Sequence, residues 1–203
     1  MTRPLYQQSA DTRLVGLERR LAALERRPSS AGVNPNLLFT VVLTTSTPSV
    51  TIPNIPQTWR DLQLIASARS DRGSEPDALG FQFNGDTGNN YDWQQISWPT
   101  DAVAVSLASA FAQPTGWIGE ISVSATAANN FGTVQGLLSG YSQTGKYKNV
   151  MGQFNDNKYP TTVQVAGITG STWHNTAAVT SITIRPVAGA NLVAGTQISL
   201  YGV

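Results

Sequence analysis

The chain contains no cysteine and one histidine, and only 12% of its residues are charged. Without cysteine there are no disulfides, no thiolate metal ligands and no cysteine nucleophile. With His174 as the only imidazole, a histidine-built transition-metal centre is excluded too. No apolar run approaches the ~20 residues of a membrane-spanning helix, so membrane insertion is not expected. The opening MTRPLYQQSADTRL lacks the apolar core of a secretory signal. Neither a phosphate-cradling glycine loop nor a G-x-S-x-G nucleophile elbow is present.

The few charges are unevenly placed. Residues 1–30 hold six arginines against Asp11, Glu18 and Glu25, a net +3; the remainder holds seven basic residues against nine acidic ones. A mildly basic head end fits docking to an acidic surface. The large remainder has no basic stripe, which disfavours nucleic acid as a partner.

Three zones precede a long β-rich region. Residues 1–12 contain Pro4 and no sustained period, and read as an extended docking arm in which Arg3, Leu5 and Tyr6 are the contact residues. Residues 13–27 read as a helix. Pro28 ends it, and PSSAGVNPN (28–36) is a linker of breakers and small residues. From residue 37 to 203 short β-rich runs alternate with turn clusters. Strands are expected within 37–45, 62–68, 79–83, 117–125, 163–169, 181–187 and 196–203, with weaker ones within 91–98, 102–111, 133–141 and 147–154. TDAVAVSLASAFAQ (100–113) is ambiguous, being alanine-rich enough for a helix while alternating with period two. Nine or ten short strands without a long helix indicate a mainly β protein: an antiparallel β-sandwich, jelly-roll-like, preceded by a short α-helical coiled coil.

RLVGLERRLAALERR (13–27) repeats one seven-residue phrase. With Leu14 and Leu21 at heptad position a, Leu17 and Leu24 fall at d, Arg13 and Arg20 at g, and Glu18 and Glu25 at e. In a parallel assembly Arg13 meets a neighbour's Glu18, and Arg20 meets Glu25; an antiparallel pair would set arginine against arginine. Both copies match the Arg-hydrophobic-x-x-hydrophobic-Glu pattern of three-stranded coiled coils, where the arginine stem covers the seam and its guanidinium reaches the next chain's glutamate. The rod is only ~22 Å long, and isolated helices of this length are marginal. The β region must therefore share in the assembly, or the docking surface must clamp the rod.

Candidate chemistry in the β region is sparse. His174, in STWHNT, is read as a surface or interface residue. Asp71, Glu75 and Asp77 have the surroundings of a solvated loop. Glu120 stands alone in an expected strand, and no carboxylate pair shows the apolar cradle that tunes an acid for glycoside hydrolysis. FNGDTGNNYDW (83–93) could offer Asp86, Asn90 and Asp92 to calcium, but it lacks the D-x-D-x-D-G order, and a hairpin connection is preferred. Trp59, Trp93, Trp98, Trp117 and Trp173, with Tyr91, Tyr141, Tyr147 and Tyr159, could stack on sugars or fill core and interface. No cofactor is expected.

IPNIPQTWRDLQLIASARSD (52–71), FQFNGDTGNNYDW (81–93) and SITIRPVAGANLVAGTQISLYGV (181–203) resemble the jelly-roll-like virion proteins of tailed bacteriophages, found as head-fibre, decoration and tail-fibre subunits. The likeness covers residues 37–203. It implies a non-enzymatic homotrimer on the particle surface, bound through its N-terminus to capsid or tail proteins. The short chain favours a capsid decoration or head-fibre protein. The rivals are a tail-fibre protein that binds a host receptor or cell-surface glycan, and a polysaccharide-degrading enzyme.

The heptads generate a direct expectation. The intact protein sediments as a trimer, and Leu21→Asp with Leu24→Asp shifts it toward monomer; a monomeric wild type at micromolar concentration excludes the coiled coil.

Overall fold

The computed structural model describes residues 36–101 and 105–203. The expected arm and helix, with Arg3, Leu5, Tyr6, Arg13, Leu14, Leu17, Glu18, Arg20, Leu21, Leu24 and Glu25, and the linker up to Asn36, lie outside the described residues.

Twelve strands build the compact unit Asn36–Val203: β1 (Leu37–Val42), β2 (Val50–Ile52), β3 (Asp61–Ala68), β4 (Asp77–Phe83), β5 (Tyr91–Pro99), β6 (Ser106–Gln113), β7 (Gly116–Ile121), β8 (Gly132–Ser139), β9 (Lys148–Asn157), β10 (Gln164–Trp173), β11 (Ile182–Pro186) and β12 (Gln197–Gly202). They form an eight-stranded sheet in the order β1-β12-β3-β8-β9-β10-β5-β6 and a four-stranded sheet in the order β2-β11-β4-β7. Every ladder is antiparallel. The expected antiparallel β-sandwich is present, and no helix occurs among the described residues.

The pairing nests: β1 with β12, β2 with β11, β3 with β8, β4 with β7. Two hairpins, β5–β6 and β9–β10, interrupt this scheme. They lie side by side and widen the larger sheet by four strands.

Period-two patterning explains most of these elements. β8 and β9 alternate buried and exposed at every position, so one face meets the small sheet and the other meets solvent. β4 is buried throughout, its polar members Asp77 and Gln82 included. After it, Asn84 and Gly85 both take positive φ, 52° and 70°, and the Asp86 amide donates to the Phe83 carbonyl at 2.9 Å. That is the left-handed pair an Asn-Gly turn supplies without strain. The strands outnumber the nine or ten expected. β2 was not anticipated, because three residues set between Pro48 and Pro53 carry almost no period. The ambiguous 100–113 segment contains strand β6, which pairs antiparallel with β5.

The core sits between the sheets. Phe81, Phe83, Tyr91 and Trp173 form one aromatic group with centroids 4.6–6.4 Å apart. The Tyr91 hydroxyl receives the Phe83 amide and donates to the Asp86 carbonyl, and Trp173 Nε1 donates to Asp86 Oδ2 at 2.7 Å. Both buried polar handles are thus satisfied. Burial pushes the Tyr91 hydroxyl well above its ordinary range.

The closest approach of the sheets is at β7. Gly136 pairs with Gly152, and Gly152 with Thr169, making a flat row across β8, β9 and β10. Ile118 lies on this row. A Cβ built on Gly152 would stand 1.9 Å from the Ile118 carbonyl oxygen. β7 is an edge strand of the small sheet, and edges leave backbone groups without ladder partners. Side chains of β10 take them: Thr169 Oγ1 donates to the Ile118 carbonyl at 2.6 Å, while Ser171 Oγ donates to the Trp117 carbonyl at 2.8 Å and accepts the Trp117 amide at 3.0 Å.

Gly152→Val must push β7 off this row and costs about 3 kcal/mol or more. On the opposite face of the same sheet a Cβ at Gly170 meets nothing closer than 3.8 Å, and Gly170→Ala changes stability by roughly 0.5 kcal/mol or less. Urea unfolding of both variants checks the contrast.

Candidate functional site

Most acidic residues of the β domain have structural tasks. Asp77 accepts the Ala78, Ala188 and Gly189 amides. Asp71 accepts those of Ala190 and Asn191 and the Asn191 side chain, and these bonds hold its carboxyl below the ordinary range. Together they tie the 71–77 loop to 188–191. Asp61 accepts the Gly140 amide, which lowers its carboxyl, and pairs with Arg60.

The calcium candidates diverge. Asp86 accepts the Gly88 amide, Asn90 Nδ2 on both carboxylate oxygens, and Trp173 Nε1. Burial works against its charge, but these donors hold the carboxyl below its usual value. Asp92 accepts the Ala112 amide at 2.8 Å and faces His174 Nε2 at 3.1 Å. No group of three carboxylates or imidazoles among the described residues could hold a metal ion. His174 is exposed beside the Tyr147 ring at 5.3 Å, and no serine hydroxyl among the described residues bonds to it. The elements of a Ser-His-Asp triad do not meet.

One expectation is corrected. Glu120 is not an isolated strand carboxylate without a cradle. It is 7% exposed, and Gln95 Nε2 donates to its Oε1 at 2.6 Å. Lys158 Nζ lies 2.5 Å from Glu75 and 3.7 Å from Glu120. Asp156, buried more deeply still, accepts the Ser122 hydroxyl at 2.5 Å. Burial raises both carboxyls, Glu120 and Asp156. It also opposes the charge on Lys158, but the hydrogen bond from Glu75 and the nearby carboxylates raise that ammonium. Arg69, buried nearby, donates to the carbonyls of Thr126, Ala127 and Asn130 and pins that loop. Lys158 pairs with Glu75 and Glu120 at once, a structural pin that joins β7 and the end of β9 to the 75 loop. The strict alternation of β9 held the clue to Asp156: positions 150, 152 and 154 face inward, so 156 does too.

The aromatics divide among core, packing and surface. Trp173, Tyr91 and Tyr141 are fully buried. Trp59 packs on the core edge. Trp93 and Trp117 stack across the sheets at 3.7 Å and 9°. Trp98, Tyr147 and Tyr159 are exposed.

The remaining candidate is a surface: the solvent face of β8, β9, β10, β5 and β6. The outward positions of these strands carry one charged side chain, Asp92. Leu107 and Phe111 project from β6, 74% and 70% exposed, and Met151, Ile96 and Ile168 lie beside them. Gly170, without a side chain, leaves a depression between Gln94 and Met151. Two grooves of about 440 and 470 Å³ meet there, sharing Gln94, Met151 and Gly170. This face can bury apolar area and exchange amide hydrogen bonds, and its one carboxylate, Asp92, is taken by the Ala112 amide and His174. β6 is the last strand of the sheet, and residues 102–119, which include it, carry no charge. No family model, curated protein or solved structure matches the chain.

The buried glutamate yields a pH prediction. Its carboxyl is raised in the folded state, so its contribution to stability is fully present below the ordinary value of 4.5 and is lost as pH rises through the raised folded value. Glu120→Gln keeps the Gln95 contact without the buried charge. It raises Tm by about 2–4 °C at pH 7, and the gain disappears near pH 4. Calorimetry at the two pH values decides; an equal shift at both contradicts the assignment.

Proposed function

We propose that this protein is a non-enzymatic structural component of a bacteriophage particle, a homotrimeric capsid decoration or head-fibre protein. Residues 1–12 dock to the particle, 13–27 form a parallel three-stranded coiled coil, and the β-sandwich heads point outward. The observation that carries the reading is the winding of the sandwich. Eight strands nest as 1 with 12, 2 with 11, 3 with 8 and 4 with 7 across two sheets, which is jelly-roll order, the order of many viral capsid and lectin domains. The doubled Arg–Leu–Glu phrase ahead of it supplies a threefold stalk. The structural employment of the carboxylates argues against the polysaccharide-degrading alternative.

A second reading, a tail-fibre protein binding a host glycan, is favoured by the grooves at Gly170, where Gln94, Asn149 and Thr172 offer hydrogen-bonding groups beside Met151 and Phe111. A glycan array with the intact protein separates the two readings.

The arm offers Leu5 and Tyr6 as apolar anchors, each contributing roughly 1.5–3 kcal/mol when buried, and threefold avidity multiplies a weak single grip. Deleting residues 2–12 therefore abolishes incorporation into particles while the heads keep their circular dichroism. Immunoblots of purified particles measure occupancy; wild-type occupancy without the arm would mean that docking runs through the head.

A further inference from the structure

We infer that the uncharged face of β9, β10, β5 and β6, together with the free edge of β6, is the surface on which a second copy of this chain packs. This rests on the homotrimer reading above and names the part of the head that completes the assembly.

The chemistry of the face selects a partner like itself. Interfaces are depleted in charge at their centre and enriched in aromatic and methionine side chains. Across four strands the outward positions hold Asp92 as their one charge, and that carboxylate is occupied by Ala112 and His174. A strongly charged partner finds no counter-ion there. The amides Gln94 and Gln153 each carry donors and an acceptor, which suits the uncharged polar surface of another copy. Projecting Leu107 and Phe111 sit beside receptive grooves on the same surface, so one copy supplies both knob and hole.

β6 adds a backbone reason. Natural sheets guard a free edge with charge, proline, short length or a covering element. β6 has eight residues and no charge, and no strand among the described residues covers its outer side. By contrast, the free groups of the other internal edge, β7, are taken by Thr169 and Ser171. In a closed ring each copy meets its neighbour by a repeated contact, and such an edge is no longer open.

Two heptads alone are marginal, so contacts between the heads must share in holding the trimer read above. A glycan fits the face less well. Trp98 and Asp92, the latter beside Phe111, stand six residues apart on β5, about 20 Å, so the two exposed aromatics make no common stacking platform.

The test is sedimentation equilibrium of the full chain as wild type, as Leu107→Lys with Phe111→Lys, and as the control Thr51→Lys on the small sheet. We expect the double variant to associate at least tenfold more weakly, with unchanged near-ultraviolet circular dichroism, and the control to match wild type. Ser109→Glu, on the same strand face, serves if the double variant does not fold. Hydrogen exchange of wild type adds an independent readout: β6 amides are protected in concentrated solution and exchange faster on dilution. A double variant that sediments as wild type, with β6 exchange independent of concentration, overturns the inference and leaves the trimer intact. If that variant stays trimeric yet loses glycan-array binding, the face is a sugar site and the inference is wrong. A folded, monomeric wild type overturns both this inference and the trimer reading.

Discussion

The sandwich depends on how closely β7 can lie on the larger sheet. A four-stranded sheet has to cover an eight-stranded one, and its edge strand must reach inward over β9 and β10. Gly136 and Gly152 clear the path, because any Cβ at Gly152 would collide with the Ile118 carbonyl. Once β7 is down, its edge groups would be buried without ladder partners, a cost of about 1–3 kcal/mol each. Thr169 and Ser171 remove that cost by bonding to Ile118 and Trp117. The same registration stacks Trp117 on Trp93 and delivers Glu120 to Gln95 and Lys158.

Charge is distributed by layer. Inward positions of β9 bury Lys148 and Asp156 at the two ends of the strand. Lys148 Nζ donates to the Lys146 and Thr176 carbonyls, and burial lowers the ammonium below its usual range. Asp71 and Asp77 clamp loops. The outward face of the same strands is almost neutral. The inner positions between Lys148 and Asp156 include Val150 and Phe154 of the apolar core, so what sets the outer face apart from an ordinary wet surface is its lack of charge.

The extension of the larger sheet gives the head its working area. The nested eight strands would make a closed sandwich by themselves. The hairpins β5–β6 and β9–β10 add four strands whose inner side packs only partly under β7, and whose outer side carries the grooves around Gly170. In the trimer proposed above, that area would be repeated around one axis.

The sequence alone determined the class of the head and the location of most strands, because period-two patterning and turn residues act locally. It also set the Asn84–Gly85 turn and the neutral stretch 102–119, which are properties of composition. It did not show β2, whose three residues have too little period. It misjudged Glu120, since a carboxylate's environment is made by residues distant in the chain: Gln95 is on β5, Lys158 beyond β9 and Glu75 in a loop. The preference for a hairpin over calcium at Asp86, Asn90 and Asp92 rested on motif order alone, without their partners. Only the fold turned Asp86 toward Trp173 and Asp92 toward Ala112 and His174. Sequence carries local conformation because each residue's backbone preference is its own, whereas burial and partnership arise when strands from opposite ends of the chain are brought into register.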